Sequence, residues 1–218
     1  MPVRGGSALY AGAQAVAQSR DPISTGQPPE VPMSAQRPLI AVFGSSTIVE
    51  SDPSWRLAYQ LGRELGTAGA DVMTGGYGGA MAACSKGAHE AGAHVVGVTV
   101  ELFEARGPAN RWVKERVHTP DLFARLRKIV ERADGFVALP GSIGTLTEVF
   151  LVWTLLAVGA RPPGPLVLLG SHWREWLDAH RRPELVLPHL FEHVEVFEVP
   201  AEAARRVVAG VTMARAAR

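Results

Sequence analysis

From residue 38 onward the chain alternates two hydrophobic patterns. Short unbroken apolar runs give way to longer segments in which apolar residues recur every third or fourth position. The first run is Leu39-Ile40-Ala41-Val42-Phe43. Such a run predicts a strand buried on both faces of a parallel sheet. Gly44-Ser45-Ser46 ends it. Asp52 then stands at a helix N-cap, with Pro53 at the first helical position. Leu57, Leu61 and Leu65 carry the helical spacing, and Gly69 closes the helix. The alternation continues. Residues 70–74 predict a second strand, and Gly75-Gly76-Tyr77-Gly78-Gly79 a second turn. Met81, Cys84, Ala88 and Ala91 make the stripe of a helix that stops at Gly92. Residues 94–100 read as a third strand.

Residues 101–119 are polar and read as irregular, with Pro108, Asn110 and Trp112. Residues 122–132 predict a helix capped by Thr119 or Asp121, and 135–139 a fourth strand. Pro140-Gly141-Ser142-Ile143-Gly144-Thr145 is a third glycine turn. Leu146, Val149, Phe150, Trp153 and Ala157 form the core stripe of the helix behind it. A fifth strand at 166–169, a helix at 173–181, a strand at 194–199 and a final helix from Ala201 complete the pattern. Residues 1–36 differ, with Gly5-Gly6-Ser7, Ser24-Thr25-Gly26 and Pro28-Pro29. They read as a flexible N-terminal extension to a domain over 37–218.

Strand–turn–helix alternation predicts an α/β fold, a Rossmann-like doubly wound parallel sheet with helices on both faces. Right-handed crossovers put every strand-to-helix turn at one sheet edge. Gly44, Ser45 and Ser46, then Gly75, Gly76, Gly78, Gly79 and Met81, then Gly141, Ser142, Ile143, Gly144 and Thr145 should therefore converge. Each turn brings backbone N–H groups at a helix N-terminus, where the dipole favours an anion. Glycine lets a phosphate approach the backbone, and Ser45, Ser46 and Thr145 add hydroxyls. The expected ligand is a small-molecule nucleotide. Neither a G-x-x-x-x-G-K-[ST] loop nor G-x-G-x-x-G with its acidic ribose partner is present, which argues against an ATPase and an ordinary NAD enzyme. Glu148 follows Gly144 by one helical turn. A carboxylate is awkward beside a phosphate but useful near a sugar, where it activates water and stabilises an oxocarbenium-like transition state. A first-turn Glu favoured by the helix dipole is the plainer explanation of the same residue.

Composition narrows the partners. The 218 residues are 47% hydrophobic and 20% charged, and 22 basic residues face 21 acidic ones. That balance gives no basic face for nucleic acid or anionic lipid. No apolar run approaches the roughly 20 residues that cross a bilayer. One cysteine, Cys84, precludes an internal disulfide, and it reads as a buried small side chain. The seven histidines show no metal-ligand spacing. No cofactor is expected, and the missing export signal and lone cysteine suggest a cytoplasmic location.

Pro140-Gly141-Ser142-Ile143-Gly144-Thr145-Leu146-Thr147-Glu148 resembles the P-G-G-x-G-T-x-x-E signature of the Lonely Guy (LOG) proteins. These are cytokinin riboside 5′-monophosphate phosphoribohydrolases, long mislabelled lysine decarboxylases. Thr74 to Met81 is similar to the family's second glycine turn, and Val42 to Ser46 to its opening one. The resemblance runs from about Pro38 to Gly170. It implies hydrolysis of a nucleoside 5′-monophosphate to free base and ribose 5-phosphate by a homodimer. It makes Glu148 catalytic, together with an arginine that falls on Arg125, Arg127 being the fallback. Ser142 departs from the motif's second Gly, a costly change if that position needs positive φ. Ala82 stands where many relatives carry Glu. A decarboxylase using pyridoxal phosphate would need a lysine in a glycine turn, and Lys86, Lys114 and Lys128 lie elsewhere. The competing expectation is a carrier or sensor of a phosphorylated ligand, of nucleotide or molybdenum-cofactor type, which does not require Glu148.

Overall fold

Strands and helices alternate along residues 37–217, the part of the chain that the computed structural model describes. They are β1 (Leu39–Phe43), α1 (Pro53–Thr67), β2 (Asp71–Thr74), α2 (Ala80–Glu90), β3 (Val95–Val100), β4 (Glu115–Thr119), α3 (Leu122–Arg132), β5 (Gly135–Ala138), α4 (Ile143–Ala157), β6 (Leu166–Leu169), α5 (His172–His180), β7 (Val194–Phe197) and α6 (Pro200–Ala216). All neighbouring strands pair parallel, in the order β4-β3-β2-β1-β5-β6-β7. The doubly wound sheet expected from the alternation is therefore present. The extension expected over residues 1–36 lies outside the described residues.

Side chains alternate across the sheet because the strand period is two. Ile40 and Val42 join one buried layer with Leu61, Leu65, Ala83 and Val207, so α1, α2 and α6 cover that face. Ala41 and Phe43 join the other with Ile129, Val152, Trp153 and Trp173, from α3, α4 and α5. Helix α2 is buried on most of its circumference because α1 lies against it with almost no side-chain spacer. A Cβ on Gly62 would strike the Cys84 carbonyl. Cys84 itself is fully buried, and burial pushes its thiol up to about 12, well away from thiolate chemistry.

The capping expectations hold. Asp52 Oδ1 accepts from Ser54 N at 2.7 Å, and Asp121, not Thr119, caps α3 by accepting from Ala124 N at 2.8 Å. Two expectations need correction. The segment 101–119 is not irregular throughout. Glu101–Arg106 forms a 3-10 turn, and Glu115–Thr119 is the edge strand β4. A charged, alternating edge strand has no apolar run to announce it. Phe150, placed in the core stripe of α4, is 41% exposed, and Val152 and Leu156 take its place. Apolar residues occur on every side of that helix, Ile143 and Phe150 among the exposed ones, so periodicity could not tell its inner face from its outer one. Among the described residues no helix is long and apolar enough to cross a membrane.

Candidate functional site

The strand order reverses direction at β1, whose neighbours are β2 and β5. Open α/β sheets form a crevice at such a switch point, outside the C-terminal ends of the strands. Here the three glycine turns meet in direct backbone contact. Ser45 N donates to Pro140 O at 3.2 Å, joining the first turn to the third. Ala80 N donates to Ser45 O at 2.8 Å, joining the second to the first. Gly79 adopts φ +65°, and a Cβ there would run into the Ser45 carbonyl. A Cβ on Gly44 would stand 2.8 Å from Ala80 Cβ.

This convergence uses up some of the expected donors. The Ser45 amide is committed to Pro140, and its hydroxyl pairs with Thr47 Oγ1 at 3.0 Å. Gly76 N donates to Thr74 Oγ1 at 3.1 Å. Thr145 is buried, tucked so closely beneath Gly141 that a Cβ on that glycine would overlap its side chain. The open side of the crevice is narrower than the sequence suggested. Ser46, Gly78, Ser142, Ile143 and Gly144 are exposed along it. Nothing lies within 4 Å of a Cβ built on Gly144, beside the N-terminus of α4. Ser142 has φ −92°, ordinary extended backbone, so the departure from the motif's second Gly carries no conformational penalty.

Two charged groups flank the crevice. Arg125 is only 8% exposed and Arg127 is exposed, so Arg125 is the arginine that faces inward. Its Nε donates to Val98 O at 2.9 Å, and its Nη2 fills the place a Gly75 side chain would take. Met81 Sδ would be 2.7 Å from the same Cβ, so it packs behind that guanidinium. Glu148 stands partly covered on α4, one and a half turns from its start. Desolvation raises its carboxyl to about 7, and the opposing pull of the Arg125 charge is the smaller effect. A group poised near neutrality in a cleft is suited to proton transfer.

Three further residues shape the site and were not singled out from sequence. Tyr77 and Phe103 present their rings to Arg125, and Asn110 Nδ2 donates to the Gly76 and Tyr77 carbonyls at 3.1 Å each. Asn110 and Phe103 sit in the polar stretch after β3, where no motif marks either residue.

The chain matches the family model described as "Possible lysine decarboxylase" over residues 81–207, more than half its length. It belongs to the LOG family. One relative, a cytokinin riboside 5′-monophosphate phosphoribohydrolase of Arabidopsis thaliana, is 32% identical over 136 residues. That match covers 61% of this chain and 63% of the plant protein, so the chain spans less than two thirds of that relative. A Mycobacterium tuberculosis protein of the same name is 28% identical over 183 residues, covering 79% of this chain and 97% of its own. Among solved structures, the molybdenum cofactor binding protein of Rippkaea orientalis superposes with a TM-score of 0.64 at 24% identity, covering 82% of this chain and 99% of that one. At that identity the likeness is one of fold. The LOG motifs quoted from the sequence are the turns that meet at the switch point.

Proposed function

We propose that this LOG-family chain hydrolyses the N-glycosidic bond of a nucleoside 5′-monophosphate, releasing the free base and ribose 5-phosphate. The observation that carries the reading is the pairing of Glu148 with Arg125 across a crevice whose open wall is a helix N-terminus. The 5′-phosphate binds at the start of α4, beside Ser46, Gly78 and Gly144. Five residues of helix separate Ile143 from Glu148, about 7.5 Å along the axis. That is comparable with the span from a 5′-phosphate to the anomeric carbon. As the bond from C1′ to the base nitrogen breaks, the Glu148 carboxylate stabilises the oxocarbenium-like centre and takes a proton from the attacking water. Arg125 hydrogen-bonds the departing base as negative charge develops on it, and the released base takes its proton from solvent. The curated relatives bearing the phosphoribohydrolase name support this reading. The decarboxylase wording does not suit the residues. Lys86 pairs with Glu50 at 3.3 Å, and Lys114 and Lys128 lie outside the glycine turns.

The test is base release from AMP, GMP, CMP, UMP, IMP and an N6-prenylated AMP, followed by chromatography. Release from at least one monophosphate is expected. Tight calorimetric binding without release would replace the hydrolase by a carrier or sensor.

The chain also pairs with a second copy through α4 in this reading. Phe150 and, just past its end, Val158 leave apolar surface on its outer side, at 41% and 68% exposure. A helix apolar on both sides calls for cover on both. Sedimentation should give a dimer, and Phe150→Glu with Val158→Glu a monomer. A wild-type monomer would end this part of the proposal.

A further inference from the structure

Asn110 stands on the connection between β3 and β4, yet most of its hydrogen bonds go to the second glycine turn. Its amide donates to Gly76 O at 2.7 Å. Its Nδ2 donates to Gly76 O and to Tyr77 O, at 3.1 Å each. Its Oδ1 accepts from Trp112 N at 3.3 Å. Two carbonyls on one side and an N–H on the other leave the carboxamide a single orientation. The Gly76 carbonyl is thus held by both the backbone and the side chain of Asn110. Among the described residues, only Asn110 Nδ2 donates to the Tyr77 carbonyl. A trans peptide sets its N–H opposite its C=O. With the Gly76 and Tyr77 carbonyls drawn towards Asn110, the N–H groups of Tyr77 and Gly78 point the other way. Among the described residues neither N–H has an acceptor. Gly78 is exposed on the open side of the crevice, between the buried Tyr77 and Gly79. Consecutive amides turned the same way form a concave donor site for an anion.

We propose that Asn110 is a positioning residue for the ligand's phosphate: its carboxamide holds the Tyr77–Gly78 peptide so that the Gly78 N–H faces the crevice as a donor. The inference rests on the hydrolase reading, which places the phosphate beside Gly78. Packing does not fix that peptide. A Cβ built on Gly78 would meet nothing nearer than Ser46 O, at 4.0 Å. Glycine also lets the peptide plane turn over without a steric penalty. Turned over, it would present the Tyr77 carbonyl to the phosphate, an acceptor where a donor is needed. The Nδ2 bond to Tyr77 O opposes that turn.

The experiment compares wild type with Asn110→Ala and Asn110→Asp. The Asp variant keeps the shape and the acceptor for Trp112 N, but it sets an oxygen against the two carbonyls. In protein carrying isotope-labelled glycine, the Gly78 and Gly144 amide resonances are identified by their absence in Gly78→Ala and Gly144→Ala. Titrated with inorganic phosphate, both should move downfield in wild type. In the Asn110 variants phosphate affinity should fall about tenfold, the worth of one hydrogen bond to a charged group. The Gly78 shift at saturation should be largely lost, while Gly144, at the start of α4, still responds. In turnover, KM for a monophosphate should rise about tenfold with kcat within about twofold, the mark of lost uniform binding. A wild-type Gly78 amide that ignores phosphate overturns the proposal, as do variants in which Gly78 responds like wild type. Equal loss at Gly78 and Gly144 also overturns it, because Asn110 would then only support the fold. Should Asn110→Ala not fold, Asn110→Asp decides. The titration needs no turnover, so a wild type that releases no base ends the hydrolase reading and leaves this one to the Gly78 shift.

Discussion

The second and third glycine turns use the absence of a side chain in opposite ways. At Gly75 the vacated space is taken by the protein itself, by the tip of Arg125 and by Met81. At Gly79 it is taken by the backbone of the first turn. At these two positions the second turn is thus closed, and only Gly78 between them stays exposed toward the crevice. At Gly144, in the third turn, the space is open. Glycine content alone would assign both turns to phosphate. Their surroundings divide the labour instead, the closed turn seating a charged side chain and the open one leaving room for a ligand. Arg125 depends on the first arrangement, and Glu148 stands behind the second.

The largest effect is expected on the open side. Glu148→Gln should lower kcat about a thousandfold, the range of a general base, while monophosphate binding survives. The wild-type rate should climb with pH and level off above about 7, as the carboxyl ionises. Stability should move the other way. An ordinary Glu titrates near 4.5 and this one near 7. The folded protein therefore holds the proton more tightly, a contribution present in full below pH 4.5 and lost as pH rises through 7. Thermal midpoints of wild type should fall across that window relative to Glu148→Gln. The variant should be the more stable at pH 8 by up to about 3 kcal/mol. Equal pH dependence in the two proteins would remove the desolvated carboxyl from the account.

On the closed side, Gly75→Ala should evict Arg125 without breaking the fold. The new methyl collides with the flexible end of a side chain, which can move, and with a methionine sulfur, which can also move. Activity should drop about a hundredfold, as for a misplaced catalytic group. A matching substitution at Gly79 would collide with backbone and require positive φ, so loss of folded protein is expected there. Activity in Gly75→Ala close to wild type would mean that the guanidinium is not needed where it lies.

Much of this was legible in the sequence, and the misses have physical causes. Strands β1, β5 and β6 are unbroken apolar runs, and β3 is one but for Thr99, because both faces of the sheet are covered, and such runs are hard to mistake. Convergence of the turns followed from crossover handedness. Strand β4 was missed because Glu115, Arg116 and His118 belong to an edge that water reaches. The orientation of α4 was missed because its exposed positions mix Ile143 and Phe150 with Thr147 and Thr154, so apolar spacing does not single out the inner face. The consumption of the Ser45 amide could not be read at all, since it depends on another turn's carbonyl, whereas the Gly76 amide is taken locally by the Thr74 hydroxyl two residues before it. Arg125 was placed by resemblance, but the Tyr77 and Phe103 rings around it come together from segments with no shared pattern.

Gly144→Ala returns to the open side with a smaller and opposite-signed pair of effects. The position is helical, its φ is not positive, and nothing lies near the new methyl. Replacing Gly by Ala in such a place should stabilise by about 0.5–1 kcal/mol. The same methyl should obstruct the ligand, raising KM about tenfold, or about 1.4 kcal/mol of binding. Tighter folding with weaker binding is the signature of a glycine kept for a ligand. Unchanged KM would mean that the phosphate lies elsewhere.

Ser142→Gly should do least. The motif of the family carries glycine here, which suggested a strained serine, but φ −92° removes the strain. Its side chain makes no capping hydrogen bond to α4. A Ser-to-Gly change at an N-cap costs a few tenths of a kcal/mol even where the cap bond exists. Stability should therefore hold within about 0.5 kcal/mol, and kcat/KM within about twofold. A fall in kcat/KM well beyond that, with stability intact, would make the exposed hydroxyl a phosphate donor and move Ser142 from bystander to ligand. A comparable rise would mean that the Cβ narrows the crevice, and that the third turn is less open than Gly144 makes it.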